Sequence, residues 1–317
     1  MKKKTLTVVI IVLVSLALAL IPLFIKKNSM LNYLCLILLY ITLASSWNIL
    51  GGYSGQISLG HSAFFGLGAL ATRLLWFAGW PILISMLVGG TVAVAFALLI
   101  GSPAFKLRGA YFTIGTLALA QILFATVGNI FSPISSLPLE ALTTYTLEPR
   151  YLLFLGLAFV TVLTSYLLVN SSLGLGMVAV REEEDAAESL GVNAFRHKLI
   201  ALLVSSFFAG LAGGAFAFYH VGYYPNYPFS PIWSLDAQMM VFIGGTGTII
   251  GPIIGAVFFV VLKEFMSLRF GEFHLLVFGI LFILVVMFLP GGLVGLWKNI
   301  QKMWTKRQKK VSQSSTV

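Results

Sequence analysis

The 317-residue chain is 59% hydrophobic, carries 9% charged residues and has a mean hydropathy of +0.98. That is far above the roughly 45–50% apolar content of soluble domains, so an ordinary soluble globule is excluded. Lys and Arg total 20 against 10 Asp and Glu, a formal charge of +10; many of the basic residues sit at the two termini, where the positive-inside rule accounts for them better than nucleic-acid binding does.

The expected fold is all-α, a polytopic integral membrane bundle forming a single transmembrane domain over residues 1–317. MKKK opens the chain and an apolar run follows from Leu6 to Ile25. The run is too long for a secretory signal core and has no small-residue cleavage site after it, so residues 1–29 read as an additional, uncleaved N-terminal span. Further apolar windows fall at Met30–Leu50, Ile57–Phe77, Ile82–Gly101, Ala110–Gly128, Tyr151–Val169, Leu199–Tyr219 and Phe273–Leu289. Each is long enough for the roughly 30 Å of bilayer hydrocarbon. The single cysteine, Cys35, lies in an apolar run and has no intrachain disulfide partner.

Placing Lys2–Lys4 in the cytoplasm also puts there Lys106, Arg108 and the charged insert with Arg181, Arg196 and Lys198, together with a basic tail over residues 298–317. Both termini are then cytoplasmic. Counting crossings leaves Leu235–Phe265 to cross an even number of times, in too few residues for two spans of about 20. Two short half-helices broken near Gly244–Pro252 are therefore expected.

An internal echo accompanies that break. GGYSGQISLGHSAFFGLGA from Gly51 and GGTGTIIGPIIGA from Gly244 share a paired-glycine entry and a closing Gly-Ala. Glycine-interrupted apolar segments in corresponding halves point to a pathway built from broken helices. On this basis Gln56, Ser58, His61, Gly244, Gly245 and Gly247 are the candidate pathway residues. Gly60, Gly66, Gly68, Gly210, Gly213 and Gly214 read instead as close-packing positions.

The chain offers no catalytic constellation. His61, His197, His220 and His274 are scattered without metal-ligand spacing, and no G-x-x-x-x-G-K-[ST] loop is present. No catalytic residue, metal or cofactor is expected. Arg73, Asp236 and the Lys263-Glu264 pair all read as lying near span boundaries, so few ionisable groups are left deep in the membrane for an ion relay. Energy is then expected from outside the chain.

The compact charged insert, residues 171–198, is the element suited to receive it. Met177–Leu190 has helical composition, Gly191 follows as a glycine stop, and Asn193-Ala194 can start a second short helix. The resulting elbow contains Asp185-Ala186-Ala187-x-x-x-Gly191. This resembles the cytoplasmic E-A-A-x-x-x-G loop of ABC importer permeases, with Asp in place of Glu and without the Ile-x-Leu-Pro ending.

Asn48-Ile-Leu-Gly-Gly-Tyr-Ser-Gly-Gln-Ile-Ser-Leu-Gly-His-Ser-Ala-Phe-Phe-Gly-Leu-Gly-Ala is similar to the N-L-x-x-G-Y-x-G-Q-x-S-L-G-H-x-A-F-F-G-x-G-A signature of branched-chain amino acid permeases. The Arg108-Gly-Ala-Tyr-Phe and Phe242-Ile-Gly-Gly-Thr-Gly segments resemble two more stretches of that family. The first of these and the extra N-terminal span favour its M-type subunit.

The resemblance implies one permease subunit of an importer in a bacterial cell membrane, surrounded by lipid. Its implied partners are an H-type companion permease, two ABC ATPase subunits and an extracytoplasmic substrate-binding protein. Arg181, Asp185, Ala186, Ala187 and Gly191 would form the ATPase-coupling surface. The substrates implied are branched-chain amino acids, with a urea or short-amide importer and an ion-coupled secondary transporter as the alternative readings.

Overall fold

The computed structural model describes residues 2–24, 27–131, 145–270, 276, 279–280, 283–284, 287–288, 291–297 and 301. Among them there are helices and no strands. Helix α1 spans Lys2–Ala19, α2 Ile21–Phe24, α3 Asn28–Trp47, α4 His61–Phe77, α5 Ile82–Ala104 and α6 Ala110–Ile130. They are followed by α7 Leu147–Val169, α8 Ser172–Glu182, α9 Glu184–Ser189, α10 Ala194–Tyr219, α11 Ile232–Gly244 and α12 Gly251–Phe270. Among the described residues seven segments are long and apolar enough to cross a membrane, and the chain is a multi-pass membrane protein. The expected span Phe273–Leu289 and the tail 298–317 lie largely outside the described residues.

The core is built on α10, which packs against α4, α5 and α3. Small residues make this possible. A Cβ on Gly68 would sit 2.0 Å from the carbonyl oxygen of Gly210, and one on Gly213 would sit 1.9 Å from that of Phe65. These backbones touch, the close approach that small residues allow where helices associate within lipid. On the other side of α3 lie α7, α11 and α12, and α1 rests on α7. Leu6, Leu13, Leu16 and Leu23 of the first span are exposed, as a lipid-facing helix requires.

The bundle has two ends. One holds the turns after α3 and α11 together with α8 and α9. At the other, Arg73 donates to the carbonyls of Ala217, His220 and Val221 at 3.0, 3.2 and 2.7 Å. Arg73 is wholly buried and its guanidinium lies 5.5 Å from the ring centroids of both Trp76 and Tyr223. It is a packed staple at the end of the bundle, near the span boundary expected for it. Burial, with Arg73 adding to it, lowers the pKa of the adjacent His220 to about 4.

Several expectations change here. The span expected from Ile57 becomes helical only at His61. The second piece of the broken region is not a half-helix: α12 has 20 residues, whereas α11 has 13. The missing length is supplied by the irregular stretch before α11, which holds only a single 3-10 turn, Tyr227–Phe229, and whose Pro225, Pro228 and Pro231 withhold backbone donors from an α-helix. Val221 lies beside Arg73, Phe229 against Gly66 and Ser234 against Ser62. The stretch therefore runs along α4 for about 10 Å, at 1.5 Å per helical residue from Arg73 back to Gly66, and the start of α11 continues to Ser62.

Candidate functional site

Two irregular segments organise the end that carries α8 and α9. After α3 the backbone continues as a π-helical turn, Asn48–Tyr53, and then runs without helix to Gly60. After α11 the chain turns through Gly245 and Gly247, whose φ values of +130° and +71° favour glycine.

The two echoing glycine segments meet. Asn48 is almost fully buried; its Oδ1 accepts from the Gly247 amide at 2.9 Å and its Nδ2 donates to the Thr248 carbonyl at 2.9 Å. One side-chain amide thus satisfies a donor and an acceptor of the second turn while standing in the first. Arg181 closes the arrangement, donating from Nη1 to the Gly52 carbonyl at 2.8 Å. A Cβ on Gly247 would lie 2.5 Å from Arg181 Nη1, and one on Gly55 would lie 2.8 Å from Arg181 Cγ. Gly52, Gly55 and Gly247 therefore form the notch that holds Arg181. The motif comparison contains Asn48 as one letter among many, and its 200-residue reach to Thr248 leaves no local signal.

Below the notch, the non-helical stretch Gly55–Gly60 has its backbone groups met by side chains, as depth in a membrane demands. Trp47 Nε1 donates to the Ser58 carbonyl at 2.7 Å, Thr113 Oγ1 donates to the Ile57 carbonyl at 2.8 Å, and Leu59 N donates to Thr116 Oγ1 at 3.1 Å. Ser205 gives its proton to the Ser46 carbonyl at 2.7 Å. The 2.6 Å contact from His61 to the same hydroxyl therefore makes His61 Nε2 the donor. His61 and Ser58 are buried, His61 completely, with Trp47 and Phe64 rings around the imidazole; Gln56 is partly exposed. Gly244 packs on its own hairpin, with a Cβ there 1.8 Å from the Gly251 carbonyl oxygen. Of the candidate pathway residues, Gly247 is thus brought to the Arg181 notch, while His61 and Ser58 belong to a packed polar knot.

The elbow differs from its sequence reading in two ways. Met177–Leu190 is not one helix: extended Glu183, at φ −158° and ψ 108°, separates α8 from α9. At the break Glu182 pairs with Arg181, Glu184 with Lys198 and Asp185 with Arg108. The second helix is not short either, because Asn193 caps α10 by accepting from Arg196 N at 2.8 Å, and α10 runs for 26 residues.

The glycine stop is as expected. Gly191 has φ +87°, its N–H donates to the Glu188 carbonyl at 2.9 Å, and Val192 N donates to the Ala187 carbonyl at 3.0 Å. These two bonds make the six-to-one and five-to-two pattern of a Schellman C-cap. Ala187 is buried against Val180 and Ala194. Asp185 and Ala186 are exposed, and at the tip Leu190 is 85% exposed. An isolated leucine held out on a capped turn was not singled out in the sequence.

Of the ionisable groups read as lying near span boundaries, Asp236 bonds Tyr40 in the middle of α3, whereas Glu264 bonds Tyr33, the sixth residue of that helix. Asp236 is the fifth residue of α11, and Lys263 and Glu264 are the thirteenth and fourteenth of α12. What the site offers chemically is mechanical connection: a charged elbow joined by one arginine to two turns on different helices.

The sequence profile of a family described as "Branched-chain amino acid transport system / permease component" matches residues 29–286. The high-affinity branched-chain amino acid transport system permease protein LivM of Escherichia coli K12 is 28% identical over an alignment of 304 residues, covering 86% of this chain and 71% of that protein. Its counterpart in Salmonella typhimurium LT2 is 29% identical, covering 81% of this chain and 68% of the relative. A probable branched-chain amino acid transport permease protein LivM from Methanocaldococcus jannaschii is 24% identical, covering 67% of each chain. No solved structure matches the chain.

Proposed function

Because the chain belongs to the branched-chain amino acid transport permease family, we infer that it is a membrane subunit of an ATP-driven importer that carries branched-chain amino acids into the cytoplasm. The supporting observation is the position of Arg181, which links the α8–α9 elbow to the turns after α3 and α11. An elbow pushed by a soluble ATPase moves both turns, and the helices attached to them tilt. The chain transmits work and performs no covalent step.

In this reading the exposed face of Asp185, Ala186 and Leu190 is the ATPase contact. Ala187 and Gly191 shape the turn, and Arg181 passes the displacement on. Two ATPase subunits, a companion permease and an extracytoplasmic binding protein complete the assembly in the cell membrane, with both termini cytoplasmic. The pathway involves the companion subunit, since Ser58 and His61 are enclosed within this one.

The test is transport by the assembled complex in proteoliposomes, with radiolabelled leucine and urea compared side by side. Leucine uptake that requires ATP and the binding protein is expected. Uptake of urea alone, or leucine uptake driven by an ion gradient without the ATPases, refutes the reading.

A further inference from the structure

The coupling machinery leaves one set of groups unused. Lys263 Nζ lies 3.0 Å from Asp236 Oδ2, and the same oxygen accepts from Tyr40 at 3.2 Å. One residue along, Glu264 Oε1 accepts from Tyr33 at 2.5 Å. Three helices, α3, α11 and α12, thus converge on a strip of two carboxylates, one ammonium and two phenols.

The strip runs from the middle of the bundle toward one end: Tyr40 is the thirteenth residue of α3 and Tyr33 the sixth, and Lys263 begins about 18 Å along the 20-residue α12, counted at 1.5 Å per residue. It is also open. Asp236 has only 9% of its side chain exposed, but Lys263 has 35%, and Tyr33 and Glu264 are partly exposed. Charged side chains within membrane spans are costly when turned toward lipid. Partly exposed ionisable groups inside a membrane bundle belong on a water-filled route.

The neighbours fit a particular passenger. Glu264 shares its helical face with Val257, Val261 and Leu268, and Phe265 flanks it, all exposed. A cation and an anion in adjacent positions, set in an otherwise aliphatic and aromatic face, complement a zwitterion with an apolar side chain. We propose that this strip lines the translocation pathway, Lys263 meeting the carboxylate of the passing amino acid and Glu264 with Tyr33 meeting its ammonium. Asp236 and Tyr40 are positioning residues that hold Lys263. The inference rests on amino-acid transport as the function and adds the site at which the substrate is felt.

Two measurements on the full assembled complex test it. In a Cys35→Ala background, Glu264→Cys is exposed to a membrane-impermeant, charged methanethiosulfonate; labelling is expected. Separately, Glu264→Gln keeps the size and the Tyr33 contact, and the double exchange Asp236→Lys with Lys263→Asp keeps an ion pair. Both are expected to assemble normally and to lower leucine uptake at least tenfold.

No labelling overturns the proposal and assigns the strip to a subunit contact or to lipid, whether or not uptake falls. Labelling with uptake unchanged in Glu264→Gln overturns the ligand role, and full uptake by the charge exchange reduces the pair to a structural clasp. A wild-type complex that fails to carry leucine overturns the functional reading itself, whereas wild-type uptake with Glu264→Gln unchanged overturns this inference alone.

Discussion

Arg181 and Gly52 are 129 residues apart in the chain, and a 2.8 Å hydrogen bond joins them. The Gly52 carbonyl belongs to the π-helical turn that ends α3, and Arg181 to the last turn of α8. Removing the guanidinium separates the elbow from both turns. Arg181→Ala is expected to reduce ATP-driven uptake at least tenfold while leaving assembly and basal ATP hydrolysis in place. Arg181→Lys, a point charge without the planar fork, is expected to recover only part of the loss. Uptake and ATPase rates measured on the same proteoliposomes check both.

Asn48→Ala removes two hydrogen bonds at once and leaves the Gly247 N–H and Thr248 carbonyl without their partner. At about 1–3 kcal/mol for each buried group left unsatisfied, the loss is at most about 2–6 kcal/mol, and smaller because Gly247 and Thr248 are only partly buried. Asn48→Asp keeps the acceptor for Gly247 but turns an oxygen toward the Thr248 carbonyl, so it is expected to rescue little. Thermal midpoints in detergent check the pair, and a midpoint for Asn48→Ala equal to wild type contradicts the assignment.

These two residues also show what was legible in the sequence. The break at Gly244–Pro252 and the Gly191 stop follow from glycine chemistry within a few residues, and both are where the residues put them. Asn48 and Arg181 act across 200 and 129 residues, respectively, and no local pattern encodes such a reach. Counting crossings in windows of about 20 apolar residues assumes that every crossing is helical. The proline-bearing stretch before α11 breaks that assumption, and α12 is a 20-residue helix where a half-helix is expected. The Glu183 break carries no signal in helix propensity, because glutamate is a good helix former, and the ion pairs of Glu184 with Lys198 and of Asp185 with Arg108 reach across the chain.

Glycine packing separates positions that look alike in sequence. A Cβ at Gly68 meets the Gly210 carbonyl oxygen at 2.0 Å, whereas one at Gly156, in α7, meets nothing within 4 Å. Gly68→Ala is expected to force α4 and α10 apart and cost about 1–3 kcal/mol or more, as overpacking does. Gly156→Ala is expected to be neutral or to stabilise by up to about 1 kcal/mol through helix propensity. Unfolding midpoints of the two purified variants decide it.

Leu190 carries the sharpest distinction between folding and docking. It is 85% exposed on the capped turn after α9, next to exposed Ala186, so Leu190→Glu removes no internal contact. Expression, membrane insertion and thermal midpoint are expected to stay within the small range of surface substitutions, about 0.5 kcal/mol. Co-purification of the ATPases and ATP-driven uptake are expected to be lost. Retained co-purification would show that the ATPase contact lies elsewhere on the elbow.

His220 gives the far end of the bundle a pH dependence. Its ring packs on Phe216 and Tyr219 at centroid distances of 4.2 and 5.0 Å, and burial followed by the Arg73 charge lowers its pKa to about 4. A histidine in the unfolded chain protonates near pH 6.5. The folded protein therefore binds fewer protons between those two values, and its stability falls as the pH drops through that window. The contribution is fully present above about pH 6.5 and gone below about pH 4, a span of up to about 3 kcal/mol at 1.36 kcal/mol per pKa unit. His220→Phe keeps an aromatic ring against Phe216 and Tyr219 and removes the titration. Its thermal midpoint is expected to decline less than that of wild type between pH 7 and pH 4.5, and parallel declines would place the acid sensitivity in another group.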